Sequence, residues 1–335
     1  MNTPAIANPS TNVTAKGSLG EPDFFPVRIS RKDAVAQGTT LFELRDPEGR
    51  ELPAFTPGSH LTVAVPNGTR RNYSLCGDPA DKNFYHIAVK RDAAGRGGSV
   101  SMADDVQVGQ ILSVSAPRNN FALAERAKGF LFVAGGIGIT PILSMMRHLK
   151  RAEGPPFKLV YLTRDAASTA FLKELNEKFP GQIQIHHDNG DPANAFDLWP
   201  MFEKPAHAHI YCCGPKGLMD SVQDMTGHWN PGTVHFESFG VDAKTHADNK
   251  PFMVRLQKSE AAFEVGAHET ILEALRKQGY RVPSSCESGT CGTCKTRLVA
   301  GEPEHRDMVL GEDERAEHIM VCVSRARSPE LVLDL

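Results

Sequence analysis

The chain has 335 residues, 40% of them hydrophobic and 23% charged, with a formal net charge of −3. That length holds about two or three domains, and no basic block or basic–aromatic stretch points to nucleic acid. The most apolar stretch, 130–143, contains three glycines and is too short to span a bilayer.

Residues 1–22 are rich in Ala, Asn, Thr, Ser, Gly and Pro and read as a disordered tail. From Phe24 onward short β-type runs alternate with turns such as Asp46-Pro47-Glu48-Gly49 and Pro66-Asn67-Gly68. The runs Leu61-Thr62-Val63-Ala64-Val65, Tyr73-Ser74-Leu75, Tyr85-His86-Ile87-Ala88-Val89 and Ile111-Leu112-Ser113-Val114 predict a small antiparallel barrel over 23–122. Within it, Arg71-Asn72-Tyr73-Ser74 offers a cation, an aromatic face and a hydroxyl, with Arg71 and Tyr73 on one strand face and Ser74 on the other. Gly95-Arg96-Gly97-Gly98-Ser99 opens a short helix, with Ser99 as a candidate cap and exposed N–H groups suited to phosphate. Each also has a plain structural reading, a salt-bridged strand and a flexible hairpin.

The pattern changes near Gly129 to alternating strands and helices, which predicts an α/β domain with a parallel sheet over 123–239. A buried strand, Phe130-Leu131-Phe132-Val133-Ala134, runs into Gly135-Gly136-Ile137-Gly138-Ile139-Thr140-Pro141, and a helix pattern follows over 142–152. Such a turn brings backbone N–H groups and a positive dipole end to a phosphate, though it lacks the full G-x-G-x-x-G spacing. A second turn, Cys213-Gly214-Pro215, ends a later strand, so both loops line one crevice beyond the carboxyl ends of the sheet. Cys76 and Cys212 read as small core residues, whereas Cys213, at a strand tip, is a candidate nicotinamide neighbour. Arg164-Asp165 gives a mixed nucleotide signal: the arginine suits a 2′-phosphate and the carboxylate a ribose hydroxyl.

A polar stretch over 240–251 reads as a linker. The last segment, 252–335, carries two strands, a helix and the cysteines Cys286, Cys291, Cys294 and Cys322. Their spacing, C-x4-C-x2-C and a fourth after 27 residues, is that of a plant-type [2Fe–2S] cluster. C-x2-C alone also marks thioredoxin-like sites and zinc half-sites, but a four-cysteine zinc site ordinarily uses two such pairs. The small residues around the first three allow backbone to wrap close to sulfur. Cys322 lies in the apolar run 319–323, which predicts a strand. This segment holds 11 Lys and Arg against 14 Asp and Glu, either a solvated acidic surface or a docking face for a redox partner. None of the thirteen histidines forms a Cys-x-His pair, which excludes a Rieske centre, and His186, His187, His207 and His209 read as surface residues.

The motifs at 71–74, 95–99, 135–141, 212–215 and 235–240, with the cysteine loop, occur in the order found in the ferredoxin–NADP reductase superfamily. The chain resembles its flavin and iron–sulfur reductases of bacterial aromatic-ring dioxygenases from about residue 23 to the end. The resemblance implies an FMN-binding barrel, an NAD-binding α/β domain and an α+β ferredoxin (β-grasp) domain. It implies that Arg71, Gly97, Gly98 and Ser99 hold the FMN phosphate, while Asn72, Tyr73, Ser74, Ala88, Val89, Lys90 and Thr140 line the flavin. By the same resemblance, Gly135, Gly136, Gly138, Pro141, Cys213, Gly214 and Pro215 would receive NADH, with Arg164 and Asp165 near its ribose and Glu237 and Phe239 at the flavin–nicotinamide contact. Ser74, Cys213 and Glu237 are the candidate catalytic residues. Barrels of this kind also hold FAD, and the residues alone leave FMN and FAD open. The implied partner of the reduced cluster is a separate Rieske-type oxygenase component. The alternatives are an FAD-dependent reductase for another oxygenase and a non-catalytic redox carrier or sensor. A monomer is expected. So is a soluble cytoplasmic setting, since the seven cysteines suit a reducing compartment and no signal peptide is readable.

Overall fold

The computed structural model describes residues 24–95, 97–239, 249–284 and 286–335. The expected tail and most of the expected linker lie outside them. Contacts divide the described residues into two compact units, one holding 24–239 with 286–291, the other 249–284 and 292–335.

The first unit opens with β1 (Phe24–Ala36), β2 (Thr39–Arg45), β3 (Ser59–Ala64), β4 (Arg70–Ser74), β5 (Tyr85–Lys90), the helix α1 (Gly98–Asp104), β6 (Ile111–Ser115) and β7 (Arg118–Asn119). Their sheet runs β4-β3-β6-β1-β2-β5, with β7 on β3. A bridge from Leu75 to Ile87 joins the two outer strands and closes the barrel. Alternating side chains such as Val27, Ile29, Phe42, Leu44, Leu61 and Val63 fill it. Ser99 is not the cap of α1: Gly97, at φ 79°, takes that place, and Ser99 Oγ instead accepts the Asp92 N–H at 3.1 Å. Only a glycine enters the left-handed region there without strain.

The parallel sheet follows: β8 (Phe130–Gly135), α2 (Ile139–Arg151), β9 (Phe157–Thr163), α3 (Leu172–Lys178), β10 (Ile183–His187), α4 (Trp199–Phe202), β11 (His209–Cys213), α5 (Lys216–Met225) and β12 (Val234–Glu237). The strand order β10-β9-β8-β11-β12 reverses between β8 and β11, the switch point at which α/β sheets hold ligands. Helix α2 begins at Ile139, three residues earlier than its hydrophobic pattern predicts. Pro141 falls in its first turn, where a missing N–H breaks no helical bond.

Barrel and sheet share a core in which Cys76, Ala88 and Phe121 pack with Phe132, Ile142, Met145 and Tyr211. Polar ties reinforce it: the Tyr211 hydroxyl donates to Ala122 O and accepts the Ala124 N–H, both at 2.8 Å, and the Gln37 N–H donates to Ala167 O at 2.8 Å.

The second unit contains β13 (Phe252–Leu256), β14 (Ala262–Val265), α6 (Ile271–Lys277), β15 (Lys295–Ala300), β16 (Pro303–Glu304), α7 (Glu312–Arg315), β17 (His318–Met320), β18 (Arg325–Ala326) and β19 (Glu330–Leu333). Its main sheet is β14-β13-β19-β15-β17, with β13 and β19 parallel and the other pairs antiparallel, and β16 pairs separately with β18. Helix α6 packs against this sheet, an α+β arrangement, its buried face made by Ile271, Leu272, Ala274 and Leu275. Strand β17 ends at Met320, so Cys322 lies in a turn and not in the expected strand. That turn is held by the Val323 and Ser324 N–H groups donating to Met320 O.

Thr270 caps α6 by accepting the Glu273 N–H at 3.1 Å, while the Glu273 carboxylate accepts the Thr270 N–H at 2.8 Å. Thr270→Ala should therefore destabilise the second unit by about 1 kcal/mol in urea unfolding. An unchanged midpoint would contradict this role.

Candidate functional site

At the end of β4, Ser74 turns its hydroxyl inward and donates to Glu237 Oε2 at 3.1 Å. Glu237 closes β12, beside Cys213 at the end of β11. The expected catalytic trio is therefore brought together at the carboxyl edge of the sheet, although 163 residues separate Ser74 from Glu237. All three are buried. Burial raises the Glu237 carboxyl from the usual 4.5 to about 8, so near neutral pH the group is predominantly protonated. It also pushes the Cys213 thiol well above its ordinary range, which makes this cysteine a packing neighbour and not a nucleophile.

The glycines at the switch point are explained by how closely two loops approach. A Cβ on Gly138 would stand 2.1 Å from Cys213 O, and one on Gly135 2.6 Å from Pro215 Cδ. Gly214 lies against Gly135 Cα at 3.0 Å from its own virtual Cβ. Gly136 takes φ 52° and meets nothing. Pro141 and Thr140 are buried, and the Thr140 hydroxyl donates to Ile137 O at 3.0 Å, which braces the turn.

The barrel side fits a flavin phosphate and ring. A Cβ on Gly98 would come within 2.5 Å of Arg71 Nε, so the guanidinium lies over the start of α1. A cation beside the amides that a helix start leaves without intrahelical partners suits an anion. Tyr73 is half-buried, and its phenol oxygen is buried with no hydrogen-bond partner among the described residues. Burial raises that phenol to about 12. An orphaned buried hydroxyl fits a site that a bound group completes. Asn72 is exposed and its Oδ1 accepts from the Thr62 hydroxyl, while Lys90 is exposed at the end of β5. Val89 belongs to the barrel core and Ala88 to the core shared with the sheet. Phe239 is 48% exposed just past β12. Arg164 is exposed, and the Asp165 carboxylate accepts the Ser168 N–H at 2.8 Å, which engages it in its own turn.

Among the described residues no disulfide joins any of the seven cysteines. Cys294 and Cys322 are buried, and Cys286 and Cys291 lie in the loop preceding Cys294. A hydrogen bond from the Cys291 thiol, supported by Ser288, holds the Cys286 thiol below its ordinary range, the direction that favours a metal-binding thiolate. The Ser288 N–H reaches Cys286 Sγ at 3.4 Å. Among the described residues no three His, Cys, Asp or Glu side chains converge as a metal cage, so the fit to a cluster rests on this donor chemistry and on the spacing.

Arg147 makes contacts that the sequence conceals. It projects from α2, and its contacts with Cys76 O and Glu174 join the barrel to the parallel sheet.

Three family models match in sequence order: an oxidoreductase FAD-binding domain over 26–123, an oxidoreductase NAD-binding domain over 132–224 and a 2Fe-2S iron-sulfur cluster binding domain over 254–327. The chain is 59% identical over 314 residues to the phthalate 4,5-dioxygenase oxygenase reductase subunit of Pseudomonas putida, covering 93% of this chain and 97% of that one. It is 58% identical over 318 residues to the phthalate dioxygenase reductase of Burkholderia cepacia, covering 94% and 98%. A solved phthalate dioxygenase reductase, described as a modular structure for electron transfer from pyridine nucleotides to [2Fe-2S], matches with a TM-score of 0.76 and 57% identity, over 93% of this chain and 98% of that one.

Two outcomes test the site. The folded Glu237 carboxyl titrates near 8 against an ordinary 4.5, so its contribution to stability is complete below about pH 4.5 and lost as pH rises through 8. Glu237→Gln stays neutral and should melt about 2–4 °C or more above the parent at pH 9, with the gap closing toward pH 5; a gap independent of pH would contradict the assignment. Gly138→Ala should cost about 1–3 kcal/mol in urea unfolding because the clash is with backbone, and should weaken NADH binding in the same protein. Parental stability in that variant would show that the loops do not need this approach.

Proposed function

The chain belongs to the phthalate dioxygenase reductase family, and from that premise we propose that it passes electrons from NADH, through a flavin and a plant-type [2Fe–2S] cluster, to an oxygenase component. The observation that carries this reading is the Ser74–Glu237 hydrogen bond, which brings the flavin motif of the barrel to the nucleotide edge of the parallel sheet. When bound, these groups supply complementary chemistry: the nicotinamide gives a hydride, the flavin takes two electrons and releases them singly, and the cluster carries one at a time.

The protein's own residues place and shelter these groups. Arg71 and the start of α1 would hold the phosphate, Tyr73 would pack against the flavin, and the apposed loops at Gly135–Gly138 and Cys213–Pro215 would present backbone to the nucleotide. Buried Ser74, Cys213 and Glu237 keep water from the contact and add no fixed negative charge near neutral pH, because the carboxyl holds its proton. Cys286, Cys291, Cys294 and Cys322 supply the thiolates. No residue need act as a general acid or base.

The flavin in this reading is FMN, as the family resemblance implies, and the matching barrel model, described as FAD-binding, keeps FAD as the alternative. Chromatography of acid-released flavin separates the two. The acceptor is a Rieske-type aromatic-ring dioxygenase, with phthalate dioxygenase favoured by the names of the two relatives. The protein works as a monomer in the cytoplasm, a setting that fits seven cysteines without a disulfide among the described residues. Among the described residues no helix is long and apolar enough to cross a membrane.

Mixed with a phthalate-type Rieske oxygenase, the holoprotein should support NADH consumption that depends on aromatic substrate. Cys322→Ser should abolish that turnover and the cluster's EPR signal while NADH still bleaches the flavin. Oxygenase turnover that survives without the cluster signal would overturn the electron route.

A further inference from the structure

The barrel and the parallel sheet meet at several polar contacts, and one of them lies on a direct mechanical line between the flavin and nucleotide motifs. Arg147 occupies the middle of α2, the helix whose first turn follows the nucleotide glycines. Its Nη1 donates to Cys76 O at 2.6 Å. Cys76 lies two residues beyond Ser74, and its own N–H donates to His86 O at 2.9 Å where the barrel closes. The rest of the guanidinium is fixed from the opposite side: Nε donates to Glu174 Oε1 at 3.0 Å, and Nη2 to both Glu174 oxygens at 2.7 Å. The side chains of Arg147 and Glu174 are only 16% and 20% exposed. One turn further along α2, Arg151 Nε meets Asp78 Oδ2 at 2.7 Å, but that arginine is 57% exposed and adds little.

We propose that Arg147, held in its rotamer by Glu174, is a positioning residue for hydride transfer, fixing the strand end that carries Tyr73 and Ser74 against the helix that begins at the nucleotide loop. This rests on the reductase reading above. The carbonyl of Cys76 offers the arginine a short reach to main chain, so the contact sets backbone position and is indifferent to the side chain at residue 76. A bidentate carboxylate on the far side prevents the guanidinium from swinging out to water. Arg147 touches neither the flavin motif nor the nucleotide loop itself. Its effect is on the distance and angle between them, to which hydride transfer is steeply sensitive.

The test uses the full holoprotein with Arg147→Met, which keeps an unbranched apolar stem and removes the guanidinium, and Glu174→Gln, which keeps the shape and removes the charge. Anaerobic stopped-flow mixing with NADH, read at the flavin band, gives the hydride-transfer rate and its dependence on NADH concentration. In Arg147→Met the limiting rate should fall about tenfold to a hundredfold, with flavin content, cluster absorbance and the half-saturating NADH concentration within about twofold of the parent. Hydrogen exchange should quicken at the Leu75 and Cys76 amides in the protein without NADH. Glu174→Gln should move the rate in the same direction by less, and the double variant should be no worse than Arg147→Met alone. A parental limiting rate in flavin-loaded Arg147→Met overturns the proposal, as does a loss fully accounted for by missing flavin. If Arg147→Met does not fold, an unchanged rate in Glu174→Gln overturns it. NADH bleaching in the parent is scored separately: its absence defeats the reductase reading, whereas its presence with unaffected variants defeats only the role of Arg147.

Discussion

A buried hydroxyl and a buried carboxyl, Ser74 and Glu237, make the contact on which the first unit depends. Each ends a strand, one in an antiparallel barrel and one in a parallel sheet, so their hydrogen bond fixes where two different architectures meet. An ionised carboxylate in that position would pay a large desolvation cost, with no cation among the described residues within hydrogen-bonding distance. The proton it retains removes the cost and leaves the group able to donate as well as accept. A neutral polar pair of this kind can sit at a redox contact without opposing the arrival of negative charge.

Behind it, the carboxyl edge of the parallel sheet presents backbone instead of side chains. The reversal of strand order between β8 and β11 leaves a crevice, and two glycine-bearing loops close to within van der Waals distance across its floor. Cys213 completes that floor as a wholly buried thiol. The shared apolar core and the Tyr211, Gln37 and Arg147 contacts then keep the barrel from sliding over the sheet. Rigid placement is the main physical task here, because the redox chemistry belongs to the bound groups.

Much of this was legible in the sequence, for identifiable reasons. The run 130–134 is uniformly apolar and ends in glycines, so a buried strand feeding a ligand turn follows from its residues alone. The cysteine spacing has a narrow chemical meaning. Other features were hidden. The long strand β1 carries Arg28, Ser30, Arg31, Lys32 and Asp33 among its apolar residues, which dilutes their periodicity. The start of α2 was obscured by Pro141, which a first turn tolerates. Cys322 continues an apolar run, yet the chain leaves the ladder before it and turns. Ser99 has the chemistry of a cap, but the left-handed geometry belongs to Gly97. Arg147 resembles any solvated helix arginine until the barrel supplies a carbonyl 71 residues away in sequence.

The central claim is that one polypeptide couples a nicotinamide site to a flavin and then to iron and sulfur. Stepwise anaerobic addition of NADH to the holoprotein, followed by absorbance across the flavin and cluster bands, tests it most directly. The account predicts that both bands bleach in the same titration, without any added mediator. Flavin bleaching with a cluster that stays oxidised, or no bleaching at all, would contradict it.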